Sequence, residues 1–246
     1  MTCRICQEEK SLTEDHVPPR AITGGAPMMR RDMADYLQNP NVAKGLIKQN
    51  GVKFKTICGD CNSLMGQKYD PEITKLAKFV NLGWGEFGKN YNLSIKLNTS
   101  KIIRAVLGHM VASKAQTYSS TFDNFVRNYF FDETALLPDN VHIYYWMYPH
   151  KTTVILRDTA IGWIGHDVTF CHILKFHPLG FLITQDEEIP KNCKVPKLSD
   201  LGINTDTSLN IPPIIQKHGW PEHPEDDRFV LGGESFTKGT IAVPRD

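Results

Sequence analysis

Four of the six cysteines fall in two Cys-x-x-Cys pairs, and this spacing constrains the chain more than any other feature of its sequence. The first pair is Cys3 and Cys6, and the second pair is Cys58 and Cys61. Two such pairs in a small polar segment are the ligand set of a tetrahedral zinc site, in which each turn presents two thiolates. Four thiolates close the coordination shell, so we predict a structural zinc rather than a catalytic one.

A redox Cys-x-x-Cys and a chance pairing are the alternatives to zinc. A redox pair needs one motif in a βαβ context, whereas the first pair here stands at the N-terminus with no strand before it. Zinc can supply on the order of 10 kcal/mol of folding free energy. That contribution would allow residues 1–69, which show little apolar periodicity, to fold as a small module. Cys171 and Cys193 have no close partner and are predicted to be buried thiols.

The composition is that of an ordinary globular protein, with 41% apolar and 22% charged residues among 246. The sequence has no apolar run of membrane-spanning length and no signal-peptide pattern, so we predict a cytoplasmic chain with no membrane partner. Residues 1–104 hold 16 Lys or Arg against 10 Asp or Glu, and the remainder holds 12 against 17. This asymmetry favours a polyanion partner for the first part, although a solvated surface without a partner would look the same.

The periodicity of the chain predicts an α+β fold with domains at residues 1–70 and 71–246. One helix is predicted from Asp70 as N-cap and Pro71, and a second from Ser100, with Ile102, Val106 and Met110 among its apolar face. After residue 140, four β-rich runs separated by turn residues predict an antiparallel sheet. Residues 187–246 are Pro-rich and are predicted to be an irregular tail.

Three segments together resemble the HNH endonucleases, which have a ββα-metal fold with zinc-binding knuckles. They are "CRICQ", "EDHVPPRAI" and "CGDCNSLMG", and the resemblance covers residues 3–70. It implies that His16 is a general base, that Asp15 binds a divalent cation, and that Asn62 is the last motif residue and second ligand of that cation. Hydrolysis of a phosphodiester requires a deprotonated water, which suits imidazole, and a hard cation such as Mg²⁺ or Mn²⁺, which suits oxygen ligands.

The sequence departs from the family at several positions. The nearest candidate for the Asn that the family carries before its second knuckle is Asn50, and the position four residues after Asn62 is Gly66, which cannot bind a cation. Water or Asp70 would then complete the shell. Residues 24–51 are predicted to be an inserted loop with a short helix. Asp15 and His16 can serve both roles only if the strand bends there. The basic residues expected near phosphate are Arg20, Arg30, Arg31, Lys44, Lys48, Lys53, Lys55 and Lys68.

The resemblance therefore predicts a metal-dependent endonuclease acting on DNA. It does not cover residues 71–246, for which a sensor, targeting or dimerisation domain, or one that binds a regulatory partner, would fit by association only. A homodimer would suit the cutting of both strands by a chain with a single site. The alternative is a catalytically inactive zinc-knuckle module that binds nucleic acid or protein.

Overall fold

The computed structural model describes residues 1–39, 45–87, 93–113, 120–161, 168–186, 188–189, 195–199, 206–211, 230–231 and 238–245. They form a mixed α+β structure, as predicted. The strands are β1 Leu12–His16, β2 Met28–Asp32, β3 Leu46–Lys48, β4 Lys53–Cys58, β5 Leu93–Asn98, β6 Val141–Met147, β7 Thr153–Ile161, β8 Thr169–Phe176, β9 Leu179–Gln185, β10 Asp206–Ile211, β11 Val230–Leu231 and β12 Thr240–Pro244. The helices are α1 Arg20–Thr23, α2 Met33–Gln38, α3 Gly59–Leu64, α4 Asp70–Phe87, α5 Thr99–Ala112 and α6 Thr121–Phe131.

Two short strands and a helix lie around the four cysteines of the two motifs. Strands β1 and β4 pair antiparallel, and α3 begins directly after β4. Together with the N-terminal turn that carries Cys3 and Cys6, we call β1, β4 and α3 the cysteine unit. Helix α3 runs through a π-helical segment at Met65–Tyr69 into α4. The helix predicted from this segment is confirmed as α4, but Asp70 is not an N-cap, because the chain before it is already helical.

The larger sheet is antiparallel, with its strands in the order β3-β2-β12-β7-β8-β9-β6 and β11 paired with β7. We call it the large sheet. Strands β6 to β9 coincide with the four β-rich runs of the sequence, and the prediction of an antiparallel sheet is confirmed. Every residue of β6 is buried. Ile143 and Tyr145 belong to a core cluster that includes residues of α5, whereas Tyr144 and Trp146 belong to a second cluster that includes Met33 and Tyr36 of α2. A second, two-stranded sheet joins β5 and β10.

Two segments predicted to be irregular contribute strands to the large sheet. Strand β12 comes from the predicted tail and lies between β2 and β7. Strands β2 and β3 come from the predicted insertion, which also contains the expected short helix as α2. At these described positions the chain is not a free loop, because its main-chain groups are paired with other strands. The prediction of an irregular tail was therefore wrong for residues 206–211, 230–231 and 240–244, which form β10, β11 and β12.

Helix α5 is buried along almost its whole length and is central to the fold. Its N-cap is Asn98, whose side chain accepts a hydrogen bond from the Lys101 N–H at 3.0 Å, rather than the predicted Ser100. One apolar core cluster includes Cys3 and Ile57 from the cysteine unit, Val106 from α5 and Leu174 from the large sheet. The described parts of the two predicted domains thus share a core. The division at residue 70 stays a prediction.

Among the described residues, no helix combines the length and the apolar character that crossing a membrane would require.

Candidate functional site

The four cysteines of the two motifs come together in space. Their sulfur atoms lie within 4.8 Å of one another, and Cys6 Sγ is 3.8 Å from Cys58 Sγ. Sulfur atoms about 3.8 Å apart are expected when four thiolates surround one zinc ion with bonds of about 2.3 Å. The cluster can therefore hold a metal ion, and both its donor type and its spacing fit structural zinc.

The electrostatics of the cluster also favour a cation. A hydrogen bond with the Cys61 thiol lowers the pKa of Cys3 to about 4, and the same interaction raises the pKa of Cys61. Burial raises the pKa of Cys6. Four thiols this close cannot all ionise without a positive charge between them, so a bound cation would replace their protons.

The N-terminal turn is also attached to the rest of the protein. The Cys58 main-chain N–H donates to Cys3 Sγ at 3.3 Å, and Arg127 Nε of α6 donates to the Arg4 carbonyl oxygen at 2.9 Å. The cluster therefore fixes the turn against β4, while α6 supports the turn from outside.

Asn62 lies in α3 directly after the second cysteine pair and reaches the strand that carries the Asp-His pair. Its Nδ2 donates to the Glu14 carbonyl oxygen and to Thr13 Oγ1, each at 3.1 Å. The amide therefore holds β1 against α3 one residue before Asp15. All three site residues implied by the resemblance, Asp15, His16 and Asn62, thus lie at the same end of the cysteine unit.

His16 is the last residue of β1 and is half-buried. Its Nε2 is buried without a hydrogen-bond partner among the described residues. Burial, together with the nearby charges of Lys53 and Arg20, lowers the pKa of the imidazole, against smaller opposing effects of Asp15 and the Asn50 main chain. The Asn50 main chain forms a hydrogen bond with the ring that raises its pKa. Such a bond stabilises the protonated imidazole, so the Asn50 main chain is the acceptor. The effects that lower the pKa are larger, so the ring is neutral at neutral pH.

Asp15 points to the opposite side of β1 from Glu14 and is only 3% exposed. Its Oδ2 lies 3.3 Å from Nδ1 of His109, in α5. Nε2 of His109 lies 3.0 Å from Oδ1 of Asp70, in α4. The predicted cation ligand is thus already in contact with a buried imidazole, and Asp70 reaches the same cluster through that ring.

The electrostatics of His109 follow from its two carboxylate neighbours. Complete burial lowers the pKa of the ring, but Asp70 and Asp15 outweigh this effect and raise the pKa to about 10. With these neighbours alone, the imidazole carries a proton on each nitrogen and pairs with both carboxylates.

The strand does not bend at the Asp-His pair. Asp15 and His16 keep regular antiparallel partners in Phe54 and Lys53, and the irregularity of β1 falls between Thr13 and Glu14. The irregularity of β1 therefore lies before the Asp-His pair and not at the pair, where a bend was expected. The two side chains consequently lie on opposite faces, Asp15 toward the core and His16 toward the edge of the unit.

The predicted phosphate-binding residues lie in different surroundings. Arg30 lies over the ring of Phe54, and Lys55 is exposed on β4. Arg20 and Lys53 lie near His16, and Lys48 lies near Glu14, whereas Lys53 is also paired with Glu14 at 2.9 Å. Arg31 is buried and donates to main-chain oxygens of α2 and its C-cap. Lys68 pairs with Glu133. Lys44 lies outside the described residues, as does Cys193, and Cys171 is buried as predicted.

His109 is the main residue of this region that the sequence reasoning missed. It stands three residues after Val106 and seven after Ile102, on the apolar face of α5. A histidine on an apolar helical face is a signal of a buried polar contact. Its partners could not be identified in advance, because they lie 94 and 39 residues away along the chain.

Among the described residues, the four cysteines are the one group of three or more Cys, His, Asp or Glu side chains close enough to share a metal ion. Comparison with protein-family profiles, with curated proteins and with solved structures finds no match for this chain. The likeness to HNH endonucleases accordingly rests on the motifs of residues 3–70.

Proposed function

We propose that the chain is a metal-dependent HNH-type endonuclease that hydrolyses phosphodiester bonds of DNA. The observation that carries the proposal is the hydrogen bond from Asn62 to the Glu14 carbonyl oxygen, which joins the two halves of the motif at one end of the cysteine unit. This contact supports the placement of Asn62 beside the strand that carries Asp15 and His16. Because those two side chains leave a regular strand on opposite faces, a site shared by all three residues requires the end of β1 to bend when the cation and DNA bind.

His16 has the properties that a general base requires. Its pKa is below its ordinary value because of burial, so the ring can accept a proton from water at neutral pH. The Asn50 main chain acts on the ring as an acceptor. If that acceptor holds the proton of Nδ1, the buried and unpartnered Nε2 is the atom that takes the proton from the attacking water.

Asp15 and Asn62 supply oxygen ligands of the type that Mg²⁺ and Mn²⁺ prefer. A cation held there would stabilise the negative charge that develops on the phosphate and on the leaving oxygen. Arg20, Lys48 and Lys53 supply positive charge around His16 and Glu14. We assign them to phosphate contacts that position the backbone of the DNA.

The second candidate is a zinc-knuckle module that binds nucleic acid or protein without cutting. It is favoured by one observation, the burial of Asp15 against His109. A carboxylate that serves only as the partner of a buried imidazole would leave the basic surface near His16 as a binding site without a catalytic cation.

Incubation of the zinc-loaded protein with supercoiled plasmid and Mg²⁺ or Mn²⁺ separates the two candidates. We expect the wild type to nick the plasmid and His16→Ala to bind DNA in a filter assay without nicking it. His150→Ala removes an imidazole from the turn between β6 and β7 and serves as the matched control, with wild-type nicking expected. DNA binding by all three proteins, with no nicking by any of them across metals and DNA forms, would favour the binding module.

A further inference from the structure

The distance between Asp15 and His109 fits a hydrogen bond and also fits two ligands on one cation. The separation of 3.3 Å between Oδ2 and Nδ1 is longer than a charge-assisted hydrogen bond, which is typically about 2.7–2.9 Å. Metal–ligand bonds of about 2.0–2.2 Å place neighbouring ligand atoms about 3 Å apart. The two atoms therefore stand at a distance that a shared divalent cation would also produce.

The other nitrogen of His109 has the partner that a metal-bound histidine usually has. Histidine ligands almost always donate their second N–H to a carboxylate or a carbonyl, which fixes the tautomer and the orientation of the ring. Nε2 of His109 lies 3.0 Å from Oδ1 of Asp70. A proton on Nε2 would leave the lone pair of Nδ1 directed toward Asp15.

His109 can provide the ligand that Gly66, which has no side chain, cannot provide. Gly66, in the π-helical segment after α3, is exposed, and a side chain added there would meet nothing within 4 Å, so position 66 offers no third ligand. His109 is completely buried and reaches Asp15 from α5, on the side of β1 that faces the core.

We propose that His109 is a third protein ligand of the divalent cation held by Asp15 and Asn62, with Asp70 as the carboxylate that orients the histidine. This inference rests on the cation site of the proposed function. It assigns to α5, outside the segment that resembles HNH endonucleases, a direct part in that site.

Pulsed electron paramagnetic resonance on Mn²⁺ added to the zinc-loaded protein tests the assignment. Electron spin-echo envelope modulation detects a ¹⁴N nucleus bonded directly to Mn²⁺. We expect this modulation in the wild type and in His16→Ala, because His16 is a base and not a ligand. We expect the modulation to be lost in His109→Gln.

The outcomes separate the role of His109, the Asp15–Asn62 cation site and the nuclease activity. Bound Mn²⁺ without nitrogen modulation in the wild type, or modulation that persists in His109→Gln, would overturn the role of His109 and leave the Asp15–Asn62 site standing. Failure of Mn²⁺ to bind at all would overturn both. Nitrogen modulation in a protein that does not nick plasmid would support His109 as a ligand and count against the nuclease.

Asp70→Asn provides a variant that keeps all three proposed ligands and tests the orienting carboxylate. Loss of such a partner typically weakens metal binding by about 10–100-fold. We expect a Mn²⁺ dissociation constant raised within that range, with the zinc content unchanged. An unchanged Mn²⁺ affinity would show that Asp70 pairs with His109 for structural reasons alone. This variant also keeps the assignment testable if His109→Gln does not fold.

Discussion

The cysteine unit and the large sheet are stabilised in different ways. In β1 one residue of five is buried, whereas in β6 all seven are buried. The large sheet can therefore be held by apolar burial, while the cysteine unit brings its strands and helix together around four sulfur atoms and a few polar contacts. The cysteine unit contributes to the shared apolar core but has less apolar burial of its own, and we expect a metal ion bound by its four cysteines to supply part of its stability.

The largest expected effect is the loss of a cysteine ligand. Cys58→Ser should lower both the zinc content and the melting temperature, because structural zinc supplies on the order of 10 kcal/mol in zinc-finger peptides. Elemental analysis and thermal unfolding followed by circular dichroism measure the two quantities. Cys171→Ser, which changes a buried thiol of β8, is the matched control and should leave the zinc content unchanged. Absence of zinc from the wild-type protein would contradict the proposal that a metal ion stabilises the cysteine unit.

A smaller effect is expected in the large sheet. Leu182 of β9 is completely buried, so Leu182→Ala should lower the free energy of unfolding by about 2–5 kcal/mol through lost burial and a cavity. Denaturant unfolding measures the change. The zinc content should stay at the wild-type level, and zinc loss in this variant would mean that the two regions are not stabilised separately.

The smallest effect on stability is expected at Asn62. Asn62→Ala removes two hydrogen bonds to β1, and each is worth about 0.5–1.5 kcal/mol. We expect a drop in the free energy of unfolding of about 1–3 kcal/mol together with loss of plasmid nicking. Ser63→Ala changes the exposed neighbouring residue and should alter neither. Full nicking by Asn62→Ala would exclude Asn62 from the site.

Local patterns in the sequence were sufficient for some elements and not for others. Strands β6 to β9 and helix α5 were predicted because their periodicity is set by residues near in sequence, and the cysteine cluster because of its spacing. Strand β12 was missed because "TIAVP" is short and ends in proline, and its pairing with β2 joins residues more than 200 positions apart. The charged "MMRRD" of β2 likewise lacks a strand pattern.

The candidate site was predicted in part for the same reason. Asp15, His16 and Asn62 stand in recognisable motifs, so their proximity could be expected from the cysteine spacing. The burial of Asp15 against His109 depends on how α5 packs under β1, which no local pattern determines. A single histidine on an apolar helical face was the one available signal.

The proposed function depends on His16, which activates water for cleavage of DNA. The rate at which the zinc-loaded protein nicks supercoiled plasmid with Mn²⁺, measured for the wild type and for His16→Ala at equal DNA binding, tests it most directly. Loss of a general base typically costs about 10²–10⁴-fold in rate, and we expect a decrease in this range with an unchanged zinc content. Equal nicking rates for the two proteins would contradict this role of His16.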